Sequence, residues 1–445
     1  MTGIIKKALS KSMYKDFVLN IAASVIYTVS TQFIAYPFLS RVVTSAEYGL
    51  ILTLMGVANA IGVSVGNPLN NTKIILQKEY DDPLTAGIGK AKGDFNLMFV
   101  FGALFNLIFV SVLSYVVLGE FSPVIPGLMV ISLLVLFRAY YTVTFRLVIN
   151  YRKYLYSSIF SLAGYLFGAL VTGMAKQSMP GASWTWIFVF VFGELFACIF
   201  IYFNAGNLFA EKLTAGPLFN TALKKYLFIM SAAVLSTLMI YMDRFFIFPF
   251  LGAEQVSVYN VSSFLGKTAG IIMSPISGVL LTYYAKESRL TLKQFAGRMG
   301  IFLMFSALFY GGILVAGVRV TGLLYPTIIE STLPFFRIAN LATTIFILGN
   351  TIQPTLIRFC NVKWQPVVQV IYLIIYLTAG IYGMKYHGLM GFCYAVLAAN
   401  VVKVLLMTAI VVLTIKGKPK TGIKSDGPAD PDTIEDRKVI EVISE

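Results

Sequence analysis

The sequence predicts an all-α integral membrane protein with about twelve transmembrane helices in two six-helix bundles around a central cavity. Of 445 residues, 58% are hydrophobic and 12% charged, with a mean hydropathy of +0.79, whereas soluble domains carry about 25% charged residues. The apolar residues fall in blocks of roughly 18 to 25, each long enough to cross a hydrocarbon core of about 30 Å as a helix. These blocks lack the period-two alternation of a membrane barrel, and lipid offers the backbone no hydrogen bonds, so helices are the remaining spanning element.

The first block, 17–39, is too long for the apolar region of a signal peptide, and no small-residue cleavage site follows it, so it is expected to stay as the first helix. Further spans are expected at 49–70, 95–118, 123–146, 155–175, 184–203, 226–249, 257–281, 299–320, 333–357, 366–384 and 389–414. A linker, 204–225, with Gly206, Gly216 and Pro217, divides six spans from six. The expected organisation is an N-terminal segment 1–16, a bundle 17–203, the linker, a second bundle 226–414 and a tail 415–445. The tail is rich in Lys, Asp, Glu, Pro and Gly and is expected to be disordered.

Phe33-Ile34-Ala35-Tyr36-Pro37-Phe38-Leu39, followed by Tyr48, is echoed by Phe245-Phe246-Ile247-Phe248-Pro249-Phe250-Leu251, followed by Tyr259. An even number of helices separates the copies, so the halves run parallel about an axis along the membrane normal, with a cavity between them.

Orientation follows from the 35 Lys and Arg residues, because short positive loops stay in the cytoplasm. Both termini, the linker and the loops after the second, fourth, eighth and tenth spans hold 26 of them, against Arg41, Lys176, Arg319 and Lys385 on the other side. Both termini are therefore expected in the cytoplasm. This topology accounts for most of the net charge of +15, so no nucleic-acid partner is expected.

The remaining five cations, Arg138, Arg244, Lys267, Arg337 and Lys403, fall inside expected spans, with two acids, Glu194 and Asp243. A charge at the centre of a membrane helix costs about 2.5–3.5 kcal/mol on insertion scales, which makes these residues functional candidates. The cations suit an anionic ligand. Arg138 and Arg146 are two turns apart, a ladder of about 12 Å running toward the cytoplasm. Plainer readings are that Arg244 is neutralised by Asp243, that Arg337 snorkels, and that Lys267 or Lys403 pairs with Glu194. Glu194 and Asp243 are candidates for coupling to a Na+ or H+ gradient, or else for bridging helices.

Polar stripes mark faces turned from lipid. They comprise Asn20, Ser24, Thr28 and Gln32 in the first span, Asn59 in the second, Tyr259, Ser263, Lys267, Gly270 and Ser274 in the eighth, Asn340 and Thr344 beside Arg337 in the tenth, and Asn400 beside Lys403 in the twelfth. Gly62, Gly66, Pro68 and Pro275 permit bends. Cys198, Cys360 and Cys393 stand singly, so neither a disulfide framework nor a metal site is expected, and His387 is expected on the surface.

Phe38-Leu39-Ser40-Arg41-Val42-Val43-Thr44-Ser45-Ala46-Glu47-Tyr48-Gly49 resembles the segment joining the first two helices of the polysaccharide transport family, and Asp243-Arg244, Leu251-Gly252 and Tyr259 resemble that family's second-half signature. Its members are repeat-unit flippases for O-antigen, capsule and exopolysaccharide, in the superfamily that also holds multidrug exporters and lipid II flippases. The resemblance implies transport of an undecaprenyl-pyrophosphate-linked oligosaccharide between leaflets of the bacterial inner membrane, with Arg41 matching the family's arginine and a polysaccharide polymerase and assembly proteins as partners. Lipid II flippases commonly have two further helices, for which this chain has no room.

The other readings are an ion-coupled multidrug exporter, disfavoured because the interior has more cations than acids, and a membrane-embedded polymerase, disfavoured because the longest outer loop, about 320–332, has no paired carboxylates. No GxxxxGK[ST] loop is present, so ATP hydrolysis is not expected, and no cofactor is expected. Green fluorescent protein fused after Glu445 is expected to fluoresce and alkaline phosphatase at the same point to be inactive; the reverse result would overturn the assigned orientation.

Overall fold

Helices in this chain start at their caps rather than at the edge of the hydrocarbon. In the computed structural model, which describes residues 15, 18–81, 93–147, 150–179, 181–206, 213–270, 280, 284, 289–361 and 363–417, every regular element among the described residues is a helix. α1 (Val18–Val42) contains a π-helical turn, Ser30–Ala35, just before Pro37. A proline has no N–H to give its helix, and the wider turn re-registers the hydrogen bonds around it. α2 (Ser45–Ile75) starts four residues before the expected span because Thr44 and Glu47 form a reciprocal capping box. α3 (Gln77–Asp81) and α4 (Gly93–Leu118) follow. α5 (Val124–Tyr141) breaks at Thr142 before the short α6 (Val143–Leu147), and the antiparallel pair α7 (Tyr151–Ser178) and α8 (Ile187–Asn204) completes the first lobe.

α9 (Phe219–Leu251) begins seven residues before its expected span, since Pro217 is the last helix breaker of the linker. α10 (Ala253–Ser262) is interrupted at Ser263 and helical again over 264–270. The rest of the expected eighth span, with Ser274 and Pro275, lies outside the described residues. α11 (Leu292–Leu324) starts at a second capping box, Thr291 with Gln294, well before the expected residue 299. α12 (Ile329–Phe359) and α13 (Trp364–Gly417) complete the second lobe.

Ten described helices are long and apolar enough to cross a membrane. One of them, the 54-residue α13, is two crossings: Gly388 (φ 57°, ψ −144°) breaks it into antiparallel arms with a backbone conformation open to glycine. That makes eleven crossings among the described residues, to which the sequence adds its expected eighth span, in an all-α, two-bundle membrane protein.

Lipid supplies no hydrophobic force between helices, so close approach of small residues must do so. In α7, Gly164 and Gly168 lie against the backbone of Phe192 and Phe188 in α8, while Gly383 and Gly391 press the arms of α13 together. α2 is the core of the first lobe, with 78% of its apolar window buried, against 11% for the peripheral α11. Buried amides tie helices together within each lobe: Asn340 Nδ2 donates to the Ser262 carbonyl at 2.6 Å, Asn400 Nδ2 to the Ala342 carbonyl at 2.8 Å, and Asn70 Nδ2 to the Ala139 carbonyl at 3.0 Å. The linker is held by Asp94, which accepts from the Tyr80 hydroxyl at 2.8 Å and the Gly216 N–H at 2.5 Å.

Gly391→Leu is expected to lower the melting temperature of the detergent-solubilised protein, at an overpacking cost of about 1–3 kcal/mol. Gly297→Leu, where an added side chain meets nothing within 4 Å, is expected to leave it unchanged.

Candidate functional site

The first lobe encloses a cavity of about 180 Å³ between α1, α5 and α7, lined by Ser24, Tyr27, Thr28, Arg138, Thr142, Tyr154, Ser157, Ser158 and Ser161. Every lining side chain except Arg138 carries a hydroxyl. Several of these hydroxyls donate to backbone carbonyls one turn back, Ser24 to Asn20 at 3.1 Å, Thr28 to Ser24 at 2.8 Å and Ser157 to Tyr154 at 2.7 Å. Their lone pairs are thereby left for the cavity.

Arg138 is held from behind. Its Nε donates to Glu194 Oε2 at 2.5 Å and its Nη2 approaches Oε1 at 3.5 Å. Glu194 is 1% exposed; its Oε1 also accepts from the hydroxyls of Tyr27 at 2.7 Å and Tyr165 at 3.1 Å. The Tyr27 ring stacks 4.1 Å from the guanidinium carbon, so one tyrosine steadies both members of the pair. A buried ion pair is sustainable when such extra hydrogen bonds offset its desolvation. The Arg138 side chain retains 19% exposure and lines the cavity.

The second lobe has a chemically different pair. Lys267 donates to Asp243 Oδ2 and lies 4.8 Å over the Tyr259 ring, while Asp243 Oδ1 is buried without a hydrogen-bond partner. Next to it, Arg244 donates to the Leu52 carbonyl of the first lobe at 2.9 Å and to Asn260 Oδ1 at 3.3 Å. Lys403 is buried, 4.8 Å from the Phe346 ring centre and 5.0 Å from that of Tyr372.

The other residues singled out in the sequence are dispersed. Arg146, beyond the break at Thr142, is exposed and donates to Asn70 Oδ1 at 3.1 Å, and it is not among the residues lining the cavity. Arg337 is exposed, with its carbonyl accepting from Tyr310 at 3.3 Å. Asn59 and Ser263 bond to their own helices, at 2.9 and 2.8 Å. His387 is exposed between the arms of α13. Tyr27, Tyr165, Tyr154, Ser157, Ser158 and Ser161 were not anticipated, although Ser157, Ser161 and Tyr165 form an i, i+4, i+8 stripe of the kind recognised in α1.

At the end carrying the α1–α2 turn, the lobes are shut. Arg41 donates to the Leu323 carbonyl at 2.5 Å, Thr327 to the Ser40 carbonyl at 2.8 Å and Tyr325 to the Gln32 carbonyl at 3.4 Å. Ser45 and Ser257 share a hydrogen bond of 2.6 Å, and a Cβ on Gly49 would run into the Ala253 carbonyl. Behind them the rings of Tyr48, Tyr325, Phe264 and Phe33 form a continuous plug, with centroids 5.2–6.2 Å apart.

The fold has solved counterparts. An inward-facing MATE family multidrug resistance transporter of the MOP superfamily aligns over 91% of this chain and 96% of that chain, with a TM-score of 0.63 at 12% identity. The chain shares its fold. An outward-facing transporter of the MATE family aligns with a TM-score of 0.60 at 12% identity, over 91% of this chain and 96% of that one. The lipid II flippase MurJ, in an inward closed conformation, gives 0.63 at 11% identity, over 92% and 89%. No protein-family model and no curated protein matches the sequence.

With Cys198, Cys360 and Cys393 replaced by serine, Ser45→Cys with Ser257→Cys is expected to form a disulfide under mild oxidant, read as a mobility shift of the denatured protein that dithiothreitol reverses. Absence of the cross-link would show that the lobes do not meet at this end.

Proposed function

We propose that this protein is a flippase that carries an undecaprenyl-pyrophosphate-linked oligosaccharide repeat unit from the inner to the outer leaflet of a bacterial cytoplasmic membrane by alternating access. The observation that carries this reading is the hydroxyl-lined cavity with the Arg138 guanidinium in its wall. Hydroxyl lone pairs suit the donors of a sugar, and a guanidinium suits phosphate oxygens. A volume of about 180 Å³ is that of about six waters at 30 Å³ each. It fits a pyrophosphate or a single sugar, so the rest of the headgroup would pass between the lobes as they part while the polyprenyl tail stays in lipid.

The likeness in fold to the lipid II flippase and to MATE transporters supports transport by alternating access. The distribution of Lys and Arg supports a cytoplasmic linker end, which makes the closed α1–α2 end the outer one. Arg41, set at that seal, then acts as a latch and meets substrate only as the lobes part. Arg244, which reaches across to the Leu52 carbonyl, supplies further positive charge between the lobes, and a Na+ or H+ gradient, or the membrane potential acting on an anion, supplies the energy. Delivery on the outer face is to a polysaccharide polymerase with its assembly proteins.

Multidrug export is the second reading, favoured by the MATE structures. Against it, Glu194 and Asp243 are each engaged by a resident cation, which a cationic drug would first have to displace.

Purified protein in proteoliposomes is expected to flip a labelled undecaprenyl-pyrophosphate oligosaccharide. Arg138→Gln, paired with Glu194→Gln so that no buried carboxylate is stranded, removes a charge-assisted bond of about 1.5–3 kcal/mol, so the rate should fall roughly 10- to 100-fold with normal membrane insertion. Flipping at the wild-type rate by this variant, or efflux of a cationic dye without lipid movement, would sink the proposal.

A further inference from the structure

The guanidinium on which that reading depends is already occupied. Two of the three Arg138 nitrogens face Glu194, and the pair is neutral as a unit. The groups facing Glu194 are few: Tyr27 from α1, Arg138 from α5, Tyr165 from α7, and Cys198 on its own helix, which donates to the Leu134 carbonyl instead. Arginine does not deprotonate at any working pH, so Glu194 is the member of the pair that can change charge. An incoming oxyanion and this carboxylate compete for the same donors.

We propose that Glu194 is a resident counter-ion of the anion site: an oxyanion entering the cavity displaces it from Arg138, and the freed carboxylate takes up one proton from solvent. This rests on Arg138 being an anion site, and not on which lipid carries the anion. A carboxylate at 1% exposure, stripped of its cation and beside a second anion, is not sustained as a charge. Tyr27 and Tyr165 are placed to serve both forms, because their hydroxyls donate to the carboxylate now and can accept from the carboxylic acid after it. The proton offsets one of the two negative charges that sulfate or a pyrophosphate brings, so the cluster's net charge falls by one rather than two. The second lobe lacks this arrangement, since the amine of Lys267 can itself give up a proton.

Binding that takes up a proton weakens as pH rises. The test uses the full chain in detergent with sulfate as the probe, because sulfate does not itself titrate between pH 6 and 8. Calorimetry in two buffers of different ionisation enthalpy should report uptake of about one proton per sulfate, with affinity falling by up to roughly tenfold per pH unit. Glu194→Gln should bind with no proton uptake and a flat pH profile, and more tightly than wild type at pH 8. Failure to bind at pH 6, binding by the wild type without proton uptake, or a Glu194→Gln profile that follows the wild type would overturn the proposal. If that variant does not fold, the wild-type proton count decides. Intact flipping with pH-independent sulfate binding would sink the counter-ion alone; linked sulfate binding without flipping would sink only the flippase reading.

Discussion

A charged side chain inside a membrane bundle has no water to fall back on, and much of this structure follows from how each one is met. Arg138 is met by Glu194 and by the face of Tyr27, Lys267 by Asp243 and the face of Tyr259, and Arg244 by a carbonyl and an amide oxygen. Each such charge costs about 2.5–3.5 kcal/mol to place at mid-membrane, so a cluster survives only where several helices converge to share it. The Arg138 cluster takes one residue each from α1, α5, α7 and α8. It therefore also fixes how those four helices pack, and the cavity is the space left beside it.

The same economy explains the lobes. Where helices carry no charge to share, glycine brings their backbones together, as in the α7–α8 pair and the arms of α13. Chains at 11–12% identity with similar architecture are consistent with a fold that asks for apolar faces and a few small residues at the right spacing.

Properties that add up along the chain were legible in the sequence: apolar blocks, polar stripes and the repeat ending in Pro-Phe-Leu. Pairings were not, because they depend on which helices share a lobe. Glu194 was matched with Lys267 or Lys403, both of which belong to the other bundle, while its actual partner, Arg138, sits on α5, packed directly against α8. Tyr27 escaped notice because an aromatic residue in a span reads as apolar, although its hydroxyl and ring both do polar work here. Helix starts were placed late at Ser45 and Leu292 because hydropathy reports the hydrocarbon, whereas Thr44 and Thr291 report the first turn.

The contacts between the lobes share one further property: their donors are side chains and their acceptors are mostly backbone. Arg41, Thr327, Tyr325, Arg244 and Tyr226 each reach across to a carbonyl, of Leu323, Ser40, Gln32, Leu52 and Val65 respectively. A carbonyl oxygen is the same whatever residue bears it, so no substitution at those five positions deletes the acceptor. Each contact is thus tunable through its donor alone, whichever lobe the donor stands on. Genetic variation can loosen or tighten the join by changing a donor, while the carbonyl that receives it is written into the main chain and persists through any drift in sequence.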